Sequence, residues 1–226
     1  MTDANRASST THQTAWPEDY REYVFQHGQL LGDFDNMYRH AKGVPWNQDQ
    51  RCEEWSAATG LLMVRTHAPY GTALEIGCGL GYITAKLKPL VRDRLEAFDL
   101  SPEAIRKAQA LHPGIEFYVD DITRLDFQPR RAYDLVVVKD VFWYVFPSLE
   151  TVLRNLRACL RPRGFLYLAQ FFPALDRPFV GKEMLPTPDA LAACFSEYTP
   201  LYTALLHHHQ RPDDGPTFHF LGAKHE

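Results

Sequence analysis

Three glycines alternate along a short segment of the chain, at positions 77, 79 and 81 of the sequence ALEIGCGLGYITAKL (residues 73–87). A strand-like apolar run precedes them, and a helical pattern follows. Glycine allows a tight turn and lets the backbone come close to a ligand, and the first amides of the next helix point towards that ligand. The dinucleotide fingerprint Gly-x-Gly-x-x-Gly would place its last small residue at Tyr82, so the observed spacing departs from it. We therefore predict a ligand-binding crevice at the end of this strand.

Two carboxylates follow the next two strand-like runs. Asp99 ends the second run, twenty-two residues after Gly77, where a carboxylate can accept hydrogen bonds from both hydroxyls of a ribose. The alternative, a turn residue or helix cap, is less favoured because Ser101 already suits the cap. Asp121 ends the third run and could accept from the exocyclic amine of an adenine. The alternatives are that Asp120 has this role or that both acids are ordinary loop residues.

Strand-like and helical segments alternate from residue 71 onwards. The strand-like segments are TALEIGC, RLEAFDL, IEFYVD, YDLVVVKDV, GFLYLAQFF, LYTALLHHH and TFHFLGAK. Such alternation predicts an α/β fold, with a doubly wound, mostly parallel, Rossmann-like sheet of seven strands. The turn-forming segment QRPDDGP joins the last two strands, which we expect to pair as an antiparallel hairpin.

The first seventy residues have a different character. Residues 18–70 show helical patterns, including an apolar face from Tyr20 to Phe25, interrupted by the loop GVPWNQDQ and without a strand signal. Residues 1–17 are small and polar, so we expect them to be disordered. The sequence thus predicts one domain over residues 18–226, with a helical lid (18–70) before an α/β core (71–226).

Composition excludes several classes of function. The net charge of −4 argues against a nucleic-acid partner, and no run approaches the length of a membrane span. The N-terminal residues contain no apolar leader, so we expect a cytoplasmic protein. The four cysteines have no metal-binding spacing, and free thiols are the simplest interpretation. His207, His209 and His219 could share a sheet face, but without a nearby acid or thiol we expect surface histidines and no metal.

Residues 72–224 resemble class I S-adenosylmethionine-dependent methyltransferases in five segments that occur in the order found in that family. These are LEIGCGLG, AFDLSPEAIRKAQ, FYVDDIT, YDLVVVKDVFWYV and LRPRGFLYLA. The predicted final hairpin also fits, because the family's sheet ends with an antiparallel strand. The resemblance implies an enzyme that uses S-adenosyl-L-methionine to methylate an acceptor.

The resemblance also implies which residues hold the cofactor. It assigns Glu75 and the backbone of Lys139 to the methionine amino group, Gly77, Cys78 and Gly79 to the methionine chain, Asp99 to the ribose, and Asp121 with Ile122 to the adenine. Leu100, next to Asp99, is a further cofactor-binding candidate. Glu75 could instead make a structural hydrogen bond at a strand end. Cys78 is interpreted as a small residue in a crowded turn and not as a nucleophile.

A narrower resemblance concerns the acceptor. The stretch VKDVFWYV resembles the S-E-V-L-Y-Y stretch of rhizobial nodulation N-methyltransferases, which act on an amino sugar, and YRHAKGVPWNQD resembles their D-P-W segment. This chain departs from the pattern at Val44, which replaces an acid, and at Lys139, which replaces a serine. A Pro-Trp lid segment also occurs in thiol and tellurite methyltransferases.

Several polar and aromatic residues are candidates for the acceptor side. Asp140 could be the catalytic base or orient the acceptor, or it could cap the next helix. Trp143 and Tyr144 could shape the acceptor pocket or belong to the core. Tyr38 and Trp46 could close over the cofactor as a lid or pack on the sheet. Arg177 and Lys182, in a long loop, could recognise an anionic group or be solvated charges.

We therefore expect a methyltransferase of a small molecule, with nitrogen of an amino sugar favoured over oxygen in natural-product tailoring. A nicotinamide dehydrogenase is disfavoured by the glycine spacing and the final hairpin, and a cofactor-binding scaffold without catalysis stays open. The sequence does not determine the acceptor, the pathway or the oligomeric state.

Overall fold

A computed structural model describes residues 16–173, 180–207 and 215–226. In chain order, its helices and strands are α1 (Arg21–Val24), β1 (Phe25–Gln26), β2 (Gln29–Leu30), α2 (Phe34–His40), α3 (Gln48–Arg51), α4 (Trp55–Arg65), β3 (Tyr70–Ile76), α5 (Tyr82–Leu87), β4 (Val91–Asp99), α6 (Pro102–Leu111), β5 (Glu116–Val119), β6 (Tyr133–Lys139), α7 (Phe142–Val145), α8 (Leu149–Cys159), β7 (Leu160–Phe171), α9 (Pro188–Ala193), β8 (Tyr198–Leu206) and β9 (Thr217–Lys224). The disorder expected for residues 1–17 concerns residues that lie almost entirely outside the described ranges.

Seven of the strands form one sheet in the order β5-β4-β3-β6-β7-β9-β8. The neighbours from β5 to β7 are parallel, whereas β9 runs antiparallel to both β7 and β8. The carboxyl ends of the parallel strands therefore meet at one edge, on either side of the β3–β6 boundary where the strand order reverses. The predicted fold class, including the antiparallel final hairpin, is confirmed.

The central strands are apolar on both faces, which is why helices cover the sheet on both sides. On one face, Ile76 and Val138 join a core that includes Leu156 of α8. On the opposite face, Ala73 and Val137 pack with Val64 of α4. Within the described ranges, no helix combines the length and hydrophobicity needed to cross a membrane.

The edges of the sheet are short or irregular. Strand β5 has four residues, and β8 pairs with β9 through a register that shifts between Pro200 and Tyr202. Proline lacks an amide hydrogen, and a register shift twists a strand locally, so neither edge offers a long regular ladder.

The first third of the chain differs from the prediction in one respect. Residues 20–25 do not form a long helical face, because α1 ends at Val24 and Phe25 begins a small antiparallel hairpin with Leu30. His27 and Gly28 both have positive φ (50° and 77°), the conformation of the tight two-residue turns that join antiparallel strands. The expectation of no strand before residue 70 was therefore wrong, and the His-Gly pair was the missed turn signal.

Candidate active site

The glycine turn leaves no room for side chains. Gly77 and Gly79 have φ of +69° and +53°. A Cβ atom at Gly77 would lie 2.6 Å from Val141 Cγ2, and one at Gly79 would lie 2.6 Å from the Tyr38 hydroxyl. The amides of Gly77 and Cys78 donate to Phe98 O at 2.9 and 3.0 Å, which fixes the turn on the end of β4. The turn is therefore a rigid cradle of bare backbone.

Asp99 lies opposite this turn, at the end of β4. Its two carboxylate oxygens accept hydrogen bonds from the amides of Gly79 (2.9 Å) and Ser101 (3.0 Å). Burial raises the pKa of Asp99 above its ordinary value, although these amides oppose the shift. Ser101 also accepts from the amide of Ala104 at 3.1 Å and so caps α6 as predicted, which leaves Asp99 directed at the glycine turn.

The acids after β5 make local turns. Asp121 Oδ1 accepts from both the amide and the hydroxyl of Thr123, at 2.8 and 2.7 Å, and Asp120 Oδ1 accepts from the amide of Asp121 at 2.8 Å. Both acids and the buried Ile122 line the same cavity. The choice between Asp120 and Asp121 as a ligand-binding acid stays open.

Glu75 is a buried carboxyl at the end of β3, only 3% exposed. It accepts a hydrogen bond from the Thr84 hydroxyl of α5. Burial raises the pKa of Glu75 to about 7, against the opposing effects of Thr84 and the Lys139 ammonium. This carboxyl therefore exchanges its proton near neutral pH.

Asp140 follows β6 in a left-handed conformation with φ of +56°. Three contacts hold it: its amide donates to Ala169 O at 2.8 Å, its Oδ1 accepts from the amide of Phe171 at 2.8 Å, and its Oδ2 forms an ion pair with Lys139. Burial raises the pKa of Asp140, but Lys139 and the Phe171 amide outweigh it and hold the pKa below its usual range. Asp140 does not cap α7, since Val141 is the N-cap residue and has no side-chain cap bond.

Aromatic rings cover the site from the N-terminal segment. The ring of Trp46 lies 5.8 Å from that of Tyr144, 6.1 Å from Tyr38 and 6.3 Å from Phe34, measured between centroids. Trp46 itself has φ of +54°, in the loop before α3. Tyr38 and Trp46 thus pack on other rings at the mouth of the site, where they line the cavity.

Trp143 belongs both to the core and to the cavity wall. Its indole N–H donates to Phe171 O at 2.7 Å, and its ring meets that of Phe172 edge-on at 5.2 Å. The side chain is therefore fixed, and one part of it lines the cavity.

These residues surround one cavity of about 220 Å³ at the carboxyl edge of the sheet. Among the residues predicted from sequence, those that line it are Tyr38, Trp46, Glu75, Gly77, Cys78, Asp99, Leu100, Asp121, Ile122, Lys139, Asp140, Trp143 and Tyr144. Gly79 is connected to it through its hydrogen bond to Asp99. Lys182 does not line the described part of this cavity, and Arg177 lies outside the described residues.

Three further polar residues of the wall were not predicted. The Gln48 amide accepts from the amide of Leu80 and donates to the Tyr38 hydroxyl, both at 2.9 Å, so it joins α3 to the glycine turn. The Gln170 side chain is fully buried and accepts from the amide of Phe142 at 3.0 Å. Arg51 lines the cavity and lowers the pKa of Asp140. Gln48 lies within the segment YRHAKGVPWNQD, but no spacing there marked its side chain, and none marked Arg51 or Gln170.

The histidine interpretation needs a correction. His219 is not a surface residue: it is fully buried on β9, with Nδ1 2.9 Å from the Tyr167 hydroxyl and Nε2 3.3 Å from the Ser56 hydroxyl. Burial lowers the pKa of His219 to about 4, so the ring is neutral. His209 lies outside the described residues. Among residues 16–173, 180–207 and 215–226 no group of three or more His, Cys, Asp or Glu could hold a metal ion, and all four cysteines are free.

Comparison with known sequences points to one domain type. Residues 73–164 match a family model described as a methyltransferase domain. Nodulation protein S of Sinorhizobium fredii is 31% identical over 128 residues, which cover 54% of this chain and 58% of that protein. Malonyl-[acyl-carrier protein] O-methyltransferase of Bacillus cereus is 33% identical over 101 residues, 43% of this chain and 36% of that protein. The chain thus spans a little more than half the length of Nodulation protein S and about a third of the length of the O-methyltransferase.

Comparison with solved structures concerns the fold. The crystal structure of N-methyltransferase NodS from Bradyrhizobium japonicum in complex with S-adenosyl-L-homocysteine superposes with a TM-score of 0.64 and 22% identity, covering 82% of this chain and 94% of that one. TehB from Haemophilus influenzae gives a TM-score of 0.59 at 15% identity, covering 78% and 66%. The architecture is therefore shared well beyond the segment that sequence alone matches.

Proposed function

We propose that this chain, whose residues 73–164 match a methyltransferase domain and which is 31% identical to Nodulation protein S over 128 residues, transfers the methyl group of S-adenosyl-L-methionine to a small-molecule acceptor. One observation carries the proposal: a single cavity joins the glycine turn and Asp99 to Asp140, Trp143 and Tyr144. The first set suits a nucleoside, and the second set offers an acceptor pocket next to it.

The residues of the turn fit this cofactor. Bare backbone at Gly77 and Gly79 allows the close approach that a methionine chain would need. Asp99 accepts from the amides of Gly79 and Ser101, and its two oxygens, with about four acceptor sites, can also accept from ribose hydroxyls. Glu75 and the backbone of Lys139 are our candidates for the methionine amino group, and Asp121 with Ile122 for the adenine. The cofactor supplies an activated methyl group, and the chain supplies alignment and exclusion of water.

For the acceptor, we favour a nitrogen atom, and an amino sugar as its carrier. The related structure with a TM-score of 0.64 is an N-methyltransferase by its own description. In this chain, aromatic rings beside a carboxylate suit an amine on a sugar ring, because rings contact its apolar faces while Asp140 orients the nitrogen. The second candidate is an oxygen acceptor, since a relative at 33% identity is an O-methyltransferase.

Cofactor binding is tested first, by calorimetric titration of the purified chain with S-adenosylhomocysteine and, in parallel, with NAD. We expect binding of the former alone. The Asp99→Asn variant should bind it about 10- to 100-fold more weakly, the loss expected for hydrogen bonds to a charged group. Absence of a binding signal with millimolar S-adenosylhomocysteine would contradict the proposal.

The acceptor is tested by mass spectrometry of reaction products. Glucosamine, galactosamine and chitosan oligosaccharides represent amines, and catechol and simple phenols represent hydroxyl acceptors. A mass increase of one methyl group on the amines supports nitrogen, and on the phenols supports oxygen. Binding of the cofactor with no product from any acceptor would support a scaffold without catalysis.

A further inference from the structure

Lys139 is a charged residue in an unusual position, at the inner end of β6. Its side chain is only 18% exposed and pairs with Asp140. Together with Ala57, Gly60 and Ile83, Lys139 lines a small apolar gap beside the sheet. Lys139 also lines the cavity where the acceptor would bind.

The charge around this ammonium is mixed. Three groups interact electrostatically with this ammonium: Glu75 on β3, Asp140 on its own turn and His219 on β9. Asp99 on β4, Tyr144 on α7 and Arg51 on α3 line the same cavity as Lys139, and Tyr167 on β7 lines the small gap beside it. His219 is neutral, the tyrosines are protonated because burial raises the pKa of each, and Glu75 is close to half-protonated at pH 7. Helices α4 and α5 contribute apolar side chains to the small gap that Lys139 lines.

Resting on the proposed function, we propose that Lys139 is the specificity-determining residue that keeps the acceptor nitrogen unprotonated, by compensating the Asp140 carboxylate. A lone carboxylate beside a bound amine would stabilise the ammonium form, which has no lone pair to donate. With Lys139 paired to it and Arg51 close by, the carboxylate no longer favours a second cation.

The transfer step then balances without a base acting first. The nitrogen lone pair forms the new N–C bond, the C–S bond breaks, and its electron pair returns to sulfur, which becomes the neutral thioether of S-adenosylhomocysteine. The methylated nitrogen carries one positive charge and afterwards releases one proton to water.

The test compares pH profiles of kcat for the full chain, Lys139→Met and Lys139→Arg, with glucosamine and chitosan oligosaccharides at saturating S-adenosylmethionine. Methionine keeps the apolar stem and removes the charge, whereas arginine keeps the charge. The acidic limb of kcat reports groups in the bound complex, and that of kcat/KM reports the free reactants. We expect the kcat limb of Lys139→Met to move up by about 1 to 2 pH units and that of Lys139→Arg to stay in place. The part of the kcat/KM limb that is set by the free amine should not move in either variant.

Two controls separate other causes. Lys88→Met removes an exposed positive charge elsewhere and should leave both limbs unchanged. Because Glu75 also titrates near neutral pH, the profiles are repeated with a second amine of different solution pKa. An acidic limb whose pKa changes with the solution pKa of the amine reports the acceptor. An acidic limb with the same pKa for both amines reports Glu75 and overturns the role of Lys139.

The remaining outcomes are distinct. Equal kcat limbs in the full chain and Lys139→Met would overturn the role of Lys139 while the proposed function stands. Absence of methyl transfer to every amine by the unmodified chain would overturn the amine acceptor and, with it, this role. Calorimetric binding of S-adenosylhomocysteine by each variant shows that it is folded.

Discussion

Asp140 combines an unfavourable backbone with a fixed side chain. A left-handed conformation costs an ordinary residue roughly 1–2 kcal/mol, and such residues persist only where their surroundings hold them. Here the Phe171 amide and the Lys139 ammonium hold the carboxylate, and the Ala169 carbonyl holds the amide. This arrangement supports Asp140 as the group that orients the acceptor, and its depressed pKa makes it a weak base.

The Asp140→Asn variant tests this role. Asparagine also tolerates the left-handed conformation, and its side-chain oxygen can still accept from Phe171, so the turn should survive. We expect turnover to fall by about 10- to 100-fold, the range for loss of a hydrogen bond to a charged orienting group, with nearly unchanged affinity for S-adenosylhomocysteine. Turnover at the unmodified rate would remove Asp140 from the mechanism.

Glu75 makes stability depend on pH. Its pKa is about 7 in the folded chain, against an ordinary value of 4.5 for a glutamate side chain. Between these two pH values the folded form therefore keeps a proton that the unfolded form loses. The contribution of Glu75 to stability is thus full below pH 4.5 and is lost as pH rises through 7. We compare the free energy of unfolding of Glu75→Gln with that of the unmodified chain by urea unfolding. We expect this difference to be about 2 kcal/mol more in favour of the variant at pH 8 than at pH 5. The exposed Glu150→Gln is the control, and equal gains in both variants would contradict the prediction.

Among the elements, those of the α/β core were predictable because each carries its own pattern. Most strands of the core contain an apolar run, and Ser101-Pro102 marks the start of α6. Residues 73–164 match a methyltransferase domain model, and the fold is shared with N-methyltransferase NodS. The hairpin β1–β2 was missed because two-residue strands have no periodicity. The burial of His219 was missed because only tertiary packing brings Ser56 and Tyr167 to its ring.

The same local logic applies to the site. Glycines and acids at strand ends could be predicted, since the end of a parallel strand is defined by its own sequence. Gln48 and Arg51 could not, because their position depends on how the first seventy residues dock on the sheet. Gln170 could not, because its role depends on a tertiary contact with the amide of Phe142. The cofactor and acceptor roles themselves stay predictions until a ligand is bound.

Gly60 shows how closely α4 packs on the sheet. A Cβ atom there would lie 1.9 Å from the Tyr167 hydroxyl, which is held by His219. Alanine normally stabilises a helix interior relative to glycine, by about 1 kcal/mol. We expect Gly60→Ala to destabilise instead, by about 1–3 kcal/mol through overpacking, in urea unfolding. Ala58→Gly, on the exposed side of α4, is the matched change and should cost about 1 kcal/mol; a stabilised Gly60→Ala would show that the contact is looser than described.

At the scale of the whole molecule, the N-terminal segment is fastened to the cofactor side of the core. Asp35 of α2 accepts from the Ser101 hydroxyl at 3.0 Å and from the Glu103 amide at 2.8 Å, and Gln48 accepts from the Leu80 amide at 2.9 Å. This docking supports residues 18–70 as a lid over the glycine turn, which we propose as their function.

Gln48→Ala should loosen that docking. We expect faster hydrogen exchange at the Leu80 amide and a dissociation rate of S-adenosylhomocysteine raised about 5- to 10-fold, as for loss of one hydrogen bond of about 1 kcal/mol. Lys42→Ala, which removes an exposed ion pair with Glu18, is the control and should change neither. An unchanged dissociation rate in Gln48→Ala would show that this bond does not restrain the ligand.

The irregular edges of the sheet affect how readily the protein aggregates at high concentration. A strand from another molecule needs an uninterrupted row of donors and acceptors to add itself to β8, and Pro200 together with the shifted register removes that row. Replacing this proline with a β-branched residue would leave an edge strand that can pair with other molecules. Such a variant would then form fibrous or amorphous aggregates although each molecule is still active.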